Sequence, residues 1–204
     1  MYYLIEGQDS TGKSTQAELL AEYLRAKGRN VEIVEEPGGN LEVAQKIRQM
    51  LKNKDYHLDP YTNVLLFTAA RRELWTKRIK PLLDHDGDVI STRNWWSTLA
   101  YQGFAEGIDL QLIRNIVEMV MPKEYVIPEK SIIFTLDEDE RMRRLKARDY
   151  ASNKDAFESR PSDFQAKVNN GYLEIAKMFN VQTYDATPSV EQIQTDLRKI
   201  FGIE

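Results

Sequence analysis

Short apolar runs alternate with longer stretches of helical periodicity along most of this chain. Tyr2–Glu6 is an apolar run of strand length that leads into a glycine turn. Thr11–Lys27 follows with helical spacing and stops at Gly28, and Asn30–Glu35 alternates as a strand. Leu41, Ala44, Ile47 and Leu51 predict a helix over 41–53, and Pro60–Leu83 reads as a long helix that buries Leu65, Ala69 and Leu83. Asp88–Thr92 is a strand, with helices expected at Trp95–Phe104 and Leu110–Val120. Ser131–Leu136 is a fourth strand, followed by a basic helix over Glu138–Arg148 and another over Pro161–Phe179. Val181–Asp185 and Val190–Ile200 supply a last strand and a last helix. This β-then-α order predicts a five-stranded parallel sheet with right-handed crossovers and helices on both faces. Ligands of such sheets bind at the carboxyl ends of the strands.

One segment lacks apolar periodicity. Asp149–Ser162 is polar and flanked by helical chain, and composition leaves it open between a surface loop and a mobile lid spanning about 146–161. The 204 residues otherwise suit a single domain over 1–204, with no repeat and no low-complexity tract.

Charge narrows the set of partners. There are 28 Lys and Arg against 32 Asp and Glu, a net charge of -4, where a duplex-binding protein carries a basic surplus. Nucleic acid is therefore not the expected partner, although a few cations can still converge on a small anion. There is no cysteine, which excludes disulfides and thiolate metal sites, and His57 and His85 are too few for a histidine metal centre. No apolar run approaches the roughly 20 residues of a membrane span, and Met1–Ile5 lacks the pattern of a secretory signal, so a cytoplasmic location with no membrane attachment is expected.

The strongest chemistry is local. Gly7-Gln8-Asp9-Ser10-Thr11-Gly12-Lys13-Ser14 matches G-x-x-x-x-G-K-[ST] in full, between a predicted strand and a predicted helix, with Thr15 next along that helix. A phosphate chain needs converging backbone N–H groups, glycines that let the backbone turn, and a helix N-terminus. Lys13 suits the β- and γ-phosphates of a nucleoside triphosphate and Ser14 suits Mg²⁺; the motif by itself leaves kinase, ATPase and GTPase open. The fold class is thus an α/β P-loop NTPase, in three layers with a small lid. A GTPase would need a guanine-reading N-K-x-D segment, and the chain has none.

The chain resembles thymidylate kinases along nearly its full length. The resemblance rests on EGQDSTGKSTQ (6–16), EEPGG (35–39), KIR (46–48), LLFTAARRELW (65–75), STRNWWSTLAYQG (91–103) and FESRPSDFQAKVNNGYLEIA (157–176). It implies ATP- and Mg²⁺-dependent phosphorylation of dTMP to dTDP by a homodimer, with the acceptor over about 36–75. Glu36, Pro37 and Arg48 would surround the acceptor phosphate, whose oxygens a planar guanidinium forks onto well. Phe67 would stack on the pyrimidine, and Arg71, four residues on and so on the same helix face, would donate to a base carbonyl. Ser97, Thr98 and Gln102 would line the rest of the base and sugar pocket, with Tyr101 as its wall. Asp9 would hold the deoxyribose hydroxyl, and Arg93 would clamp between donor and acceptor phosphates. A lid cation is also implied, Arg148 first and Arg160 second, because the P-loop has Ser10 where some members carry Arg. Arg141, Arg143, Arg144 and Lys146 read as a mostly solvated face.

Four positions, in three segments, depart from that family. Thr92 and Asn94 replace an Asp before Arg93 and an aromatic after it, Glu35 replaces a base before Glu36, and Ala156 replaces an Arg before Phe157. Asp9 and Glu36 then remain as the carboxylates able to orient the metal's water shell. The departures bear on the acceptor and the rate, so dUMP or a deoxynucleoside, or a nucleotide-binding protein with weakened catalysis, stand as alternatives.

Overall fold

The computed structural model describes residues 1–39, 41–147, 157 and 160–204. Strand β1 (Tyr2–Gly7) leads through the phosphate loop into α1 (Lys13–Ala26) and back along β2 (Val31–Val34). Helix α2 (Glu42–Lys52) and a 3₁₀ turn (Lys54–Tyr56) come before α3 (Pro60–Leu74), which runs through a π-helical stretch (Trp75–Ile79) into α4 (Lys80–Asp84). β3 (Asp88–Ser91) feeds α5 (Trp95–Thr98), continued by a second π-helical stretch (Leu99–Ala105). Then come α6 (Leu110–Val120), α7 (Lys123–Val126), β4 (Lys130–Thr135), α8 (Glu138–Ala147), α9 (Ser162–Phe179), β5 (Thr183–Asp185) and α10 (Val190–Phe201). The five strands are all parallel in the order β2-β3-β1-β4-β5.

Alternation along β1 divides the core into two layers. Tyr2 and Leu4 face one side with Leu74, Trp75, Trp96 and Tyr172. Tyr3 and Ile5 face the other with Leu20 and Leu24 of α1 and Leu197 and Phe201 of α10. Both faces are covered, which is why the central strands read as unbroken apolar runs. The expected strands and helices are present, and the order of β1, β3 and β4 at the centre of the sheet puts the phosphate loop at its carboxyl edge. The short helix α7 is the main element that periodicity missed.

Three expectations need correction. Leu65 is 56% exposed, and Ala69 is also on the outside. α3 instead turns Asn63, Val64, Thr68, Ala70, Arg71 and Leu74 inward. Its inner face is partly polar because it lines a cleft, so the apolar periodicity marked the wrong side. Leu83 is half-buried against the core, as expected. Arg141 is not solvated: it is 4% exposed and its guanidinium forks onto Glu138 at 2.7 and 2.8 Å. Arg144 is half-buried and donates to the Ala186 carbonyl at 2.9 Å, while Arg143 and Lys146 are solvated.

Gly7 is needed twice over. Its φ is +133°, and a Cβ there would sit 2.2 Å from the Phe134 carbonyl oxygen of the neighbouring strand. Gly7→Ala should therefore lose roughly 2–4 kcal/mol of stability, seen as a lower melting temperature. A melt indistinguishable from wild type would show that β1 and β4 are not held at this separation.

Candidate active site

The cleft begins at the phosphate loop. β1 ends in Gly7, the loop turns through Ser10 at φ +71° and Gly12 at φ +90°, and α1 starts at Lys13. Positive φ costs nothing at Gly12 but strains Ser10, whose hydroxyl is buried without a hydrogen-bond partner among the described residues. Thr11 Oγ1 closes the loop on the Gln8 carbonyl at 2.9 Å. Lys13 Nζ donates to the Gly7 and Gln8 carbonyls at 2.7 and 2.6 Å, so its ammonium lies across the mouth of the loop. Gln8 is buried and anchors the loop to α9 through the Gln165 carbonyl at 2.8 Å. Asp9, Ser10, Gly12, Lys13 and Ser14 line the cleft. Gly7, Gln8, Thr11 and Thr15 shape or flank the loop and stand outside that lining.

Arg93 occupies the middle. It leaves the end of β3 and donates to Ser97 Oγ at 3.1 Å, to Tyr172 OH at 3.0 Å and to an oxygen of Asp9. Tyr101 OH also donates to Asp9, at 3.2 Å. Burial alone would raise the Asp9 carboxyl, but Arg93 and Lys13 outweigh it and hold it well below the usual range, so Asp9 is ionised. The support beneath Arg93 is Glu6, fully buried in β1. It accepts from Asn94 N at 2.7 Å, Ser97 N at 3.1 Å and Ser97 Oγ at 2.9 Å.

The far end is built by α2, α3 and the turn after β2. Arg71 Nη1 donates to Thr98 Oγ1 at 2.8 Å, and its guanidinium lies 5.2 Å over the Phe67 ring. Arg71 Nε is 3.3 Å from Glu36 Oε2, an ion-pair distance whose geometry does not make a directed hydrogen bond. Glu36 is buried and accepts from Tyr125 OH at 2.5 Å, Tyr2 OH at 3.1 Å and Ser91 Oγ at 3.2 Å. Burial dominates over Arg71 and these hydroxyls, and the carboxyl is pushed up to about 7. With its oxygens taken by protein donors, Glu36 is placed to hold Arg71 rather than a metal's water shell. Arg48 Nη2 donates to Glu35 Oε1 at 2.5 Å and packs against Gly38, where a Cβ would meet Arg48 Cδ at 2.7 Å.

The cleft thus gathers Glu36, Pro37, Arg48, Phe67, Arg71, Arg93, Ser97, Thr98 and Gln102, every acceptor-side residue that the resemblance implied. Thr92 lines it as well, and Asn94 caps α5 by accepting from Trp96 N at 2.8 Å. Arg160 stands elsewhere, donating to Glu106 Oε1 at 3.1 Å, while Arg148, Ala156 and most of the 146–161 lid lie outside the described residues. Motif reading missed Glu6, Tyr172, Tyr2, Tyr125 and Phe157. Phe157 lines the cleft 5.8 Å from the Phe67 ring and 5.9 Å from Tyr101. Glu6 had one legible signal, an acid inside an apolar strand.

Comparison with known proteins identifies the family. The family model described as thymidylate kinase matches residues 5–197. The chain is 33% identical over 201 residues to a thymidylate kinase of Mesoplasma florum, covering 98% of this chain and 94% of that protein. It is 32% identical over 203 residues to one from Thermosipho africanus, covering 98% and 96%. The crystal structure of thymidylate kinase from Ehrlichia chaffeensis superposes with a TM-score of 0.76 at 30% identity, covering 99% and 98% of the two chains.

The Glu36 environment has a measurable consequence. A carboxyl raised to about 7 in the fold, from the usual 4.5, favours folding when protonated. Its contribution is fully present below the unfolded value and is lost as pH rises from 4.5 through 7. The stability of wild type minus that of Glu36→Gln should then fall by up to about 3 kcal/mol across that window and be flat above it. Denaturant melts of both proteins from pH 4.5 to 8 measure this, and a pH-independent difference would contradict it.

Proposed function

This chain belongs to the thymidylate kinase family, and we propose that its cleft carries out that family's reaction with the residues assigned here. The enzyme is a nucleoside monophosphate kinase that transfers the γ-phosphoryl group of ATP to dTMP. An oxygen of the dTMP phosphate attacks the γ-phosphorus, the bond to the β–γ bridging oxygen breaks, and ADP and dTDP leave. Such transfer needs alignment and charge neutralisation more than covalent help.

One observation carries the assignment of roles: Arg93 sits between the phosphate loop and the α2–α3 end of the cleft, held by Asp9 on one side and Ser97 and Tyr172 on the other. From there it reaches the phosphates of both nucleotides. The loop amides, Lys13 and the N-terminus of α1 take the ATP phosphates. Arg48 takes the acceptor phosphate, Phe67 stacks on the pyrimidine beside Phe157, and Arg71 presents a guanidinium already oriented by Thr98 and Glu36. Gln102, Ser97 and Thr98 complete the base and sugar walls, and Asp9 accepts from the deoxyribose hydroxyl while it orients Arg93. A lid cation from Arg148 completes the donor side.

Magnesium fits the donor set. Ser14 opens α1 with its exposed hydroxyl at the cleft, and Thr92 brings a second hard oxygen there. Mg²⁺ takes a few such oxygens together with phosphate oxygens and water, and when bound it neutralises charge on the phosphates.

A homodimer accounts for the apolar surface of α3 and α6, two helices in contact. Tyr61 and Leu65, one turn apart on α3, are 54% and 56% exposed, and Met119 on α6 is 79% exposed. Exposed apolar side chains on two packed helices suit a self-complementary interface. No helix among the described residues is long and apolar enough to cross a membrane, and a cytoplasmic location agrees with the intracellular substrates.

An ADP-release assay over dTMP, dUMP, thymidine and other monophosphates, with ATP and Mg²⁺, should show dTMP preferred. Arg93→Ala should lower kcat roughly 10²- to 10³-fold, and Arg48→Ala should raise the KM for dTMP roughly tenfold or more. Preference for dUMP or thymidine, or tight ATP binding without transfer, would replace this reading with one of the alternatives. Separately, Met119→Glu should shift the protein from dimer to monomer in sedimentation, and a wild-type monomer would remove the dimer proposal.

A further inference from the structure

Among the described residues, three arginines reach into the cleft, and each is tied to a carboxylate of the same chain. Arg71 with Glu36 is fully buried, at 3% and 0% side-chain exposure. Arg93 with Asp9 is half-buried, at 18% and 35%. Arg48 with Glu35 is the open pair, at 22% and 65%. Hydroxyl donors also bind the first two acids, three of them on Glu36 and Tyr101 on Asp9. Among the described residues no hydroxyl donor holds Glu35: its partner is Arg48, with Lys52 and then Arg93 acting on it from farther away.

We infer that Glu35 is a tethered competitor for the acceptor phosphate, a specificity residue that weakens capture of a nucleoside monophosphate by occupying Arg48. This rests on the reading of the α2–α3 end of the cleft as the acceptor site. Glu35 already holds the Arg48 guanidinium through Nη2 at 2.5 Å, so an incoming phosphate meets a cation that a carboxylate partly neutralises. The incoming group is itself an anion, so even a shared Arg48 leaves two negative groups facing one cation. Glu35 sits one residue before Glu36, so its carboxylate cannot move far from this end of the cleft. Its exposure lets it swing toward water when displaced, which makes it a competitor rather than a block. A ligand without a phosphate has no need of Arg48 and does not disturb the pair.

The test is equilibrium titration calorimetry of dTMP and of thymidine on wild type and Glu35→Gln, backed by steady-state kinetics. Glu35 is at the surface, so the variant should fold. Glu35→Gln should tighten dTMP and lower its KM roughly two- to fivefold, leaving the affinity for thymidine and the KM for ATP unmoved. The gap between the two proteins should narrow as salt is raised. Weaker or unchanged dTMP binding would overturn the inference, because Glu35 would then be orienting Arg48 or standing idle. Thymidine tightening in step with dTMP would overturn it too, since the effect would not pass through the phosphate. If dTMP binds neither protein, the acceptor-site reading itself falls, and the inference with it.

Discussion

Glu6 lies at the centre of the sheet, and among the described residues its oxygens are taken by main-chain and hydroxyl donors rather than by a cation. It takes the main-chain N–H groups of Asn94 and Ser97 and the Ser97 hydroxyl, and so holds the start of α5 against the end of β1. Burying a carboxylate is costly unless its oxygens are fully used. Here the donors sit about 90 residues along the chain, so the cost is met only when β1 and β3 are side by side. That constraint fixes Ser97, and Ser97 with Tyr172 fixes Arg93. The position of the guanidinium between the two ends of the cleft follows from the sheet rather than from the loop that carries it.

Local features were legible in the sequence because they need no partner. The phosphate loop is one such feature: its glycines, lysine and serine act through fixed spacing, and the strand and helix around it are short-range. Arg71 and Phe67 were also legible as neighbours, since four residues apart in a helix means one face. The burial of α3 was not. Leu65 looked like core because apolar residues usually are, yet a helix that lines a polar cleft turns its Asn63, Thr68 and Arg71 inward and leaves Leu65 outside. Arg141 failed for the same reason: among charged neighbours nothing local marks the one residue that finds Glu138 in a buried position. Phe157 and Tyr172 reach the site only through the tertiary placement of α9 and the chain before it, and no spacing rule reports that.

The two π-helical stretches belong to the same account. The first lies between α3 and α4, and the second, Leu99–Ala105, follows Ser97 and Thr98 directly. A π-helical turn widens the helix and re-aims the side chains after it, and it recurs at functional sites. Here it delivers Tyr101 onto Asp9 and brings Gln102 to the cleft wall. Periodicity predicted one regular helix over this region and could not see the change of pitch.

Glu35 and Glu36 are adjacent in sequence and opposite in behaviour. Glu36 is enclosed by two tyrosines and a serine, and burial raises its carboxyl to about 7. Glu35 faces water, and although partial burial opposes it, Arg48 lowers its carboxyl below the ordinary value. Such a gradient suits a site for two anions. Each of the arginines Arg48, Arg71 and Arg93 is paired with an acid of the cleft before any ligand arrives. The deep pair, Arg71 with Glu36, is expensive to break and holds geometry; the open pair, Arg48 with Glu35, is screened and inexpensive to break, so it is the one a ligand can exchange. On the proposed assignment, an acceptor phosphate and the Glu35 carboxylate compete for one guanidinium at this end of the cleft, and the net gain on binding is smaller than the contact alone would give.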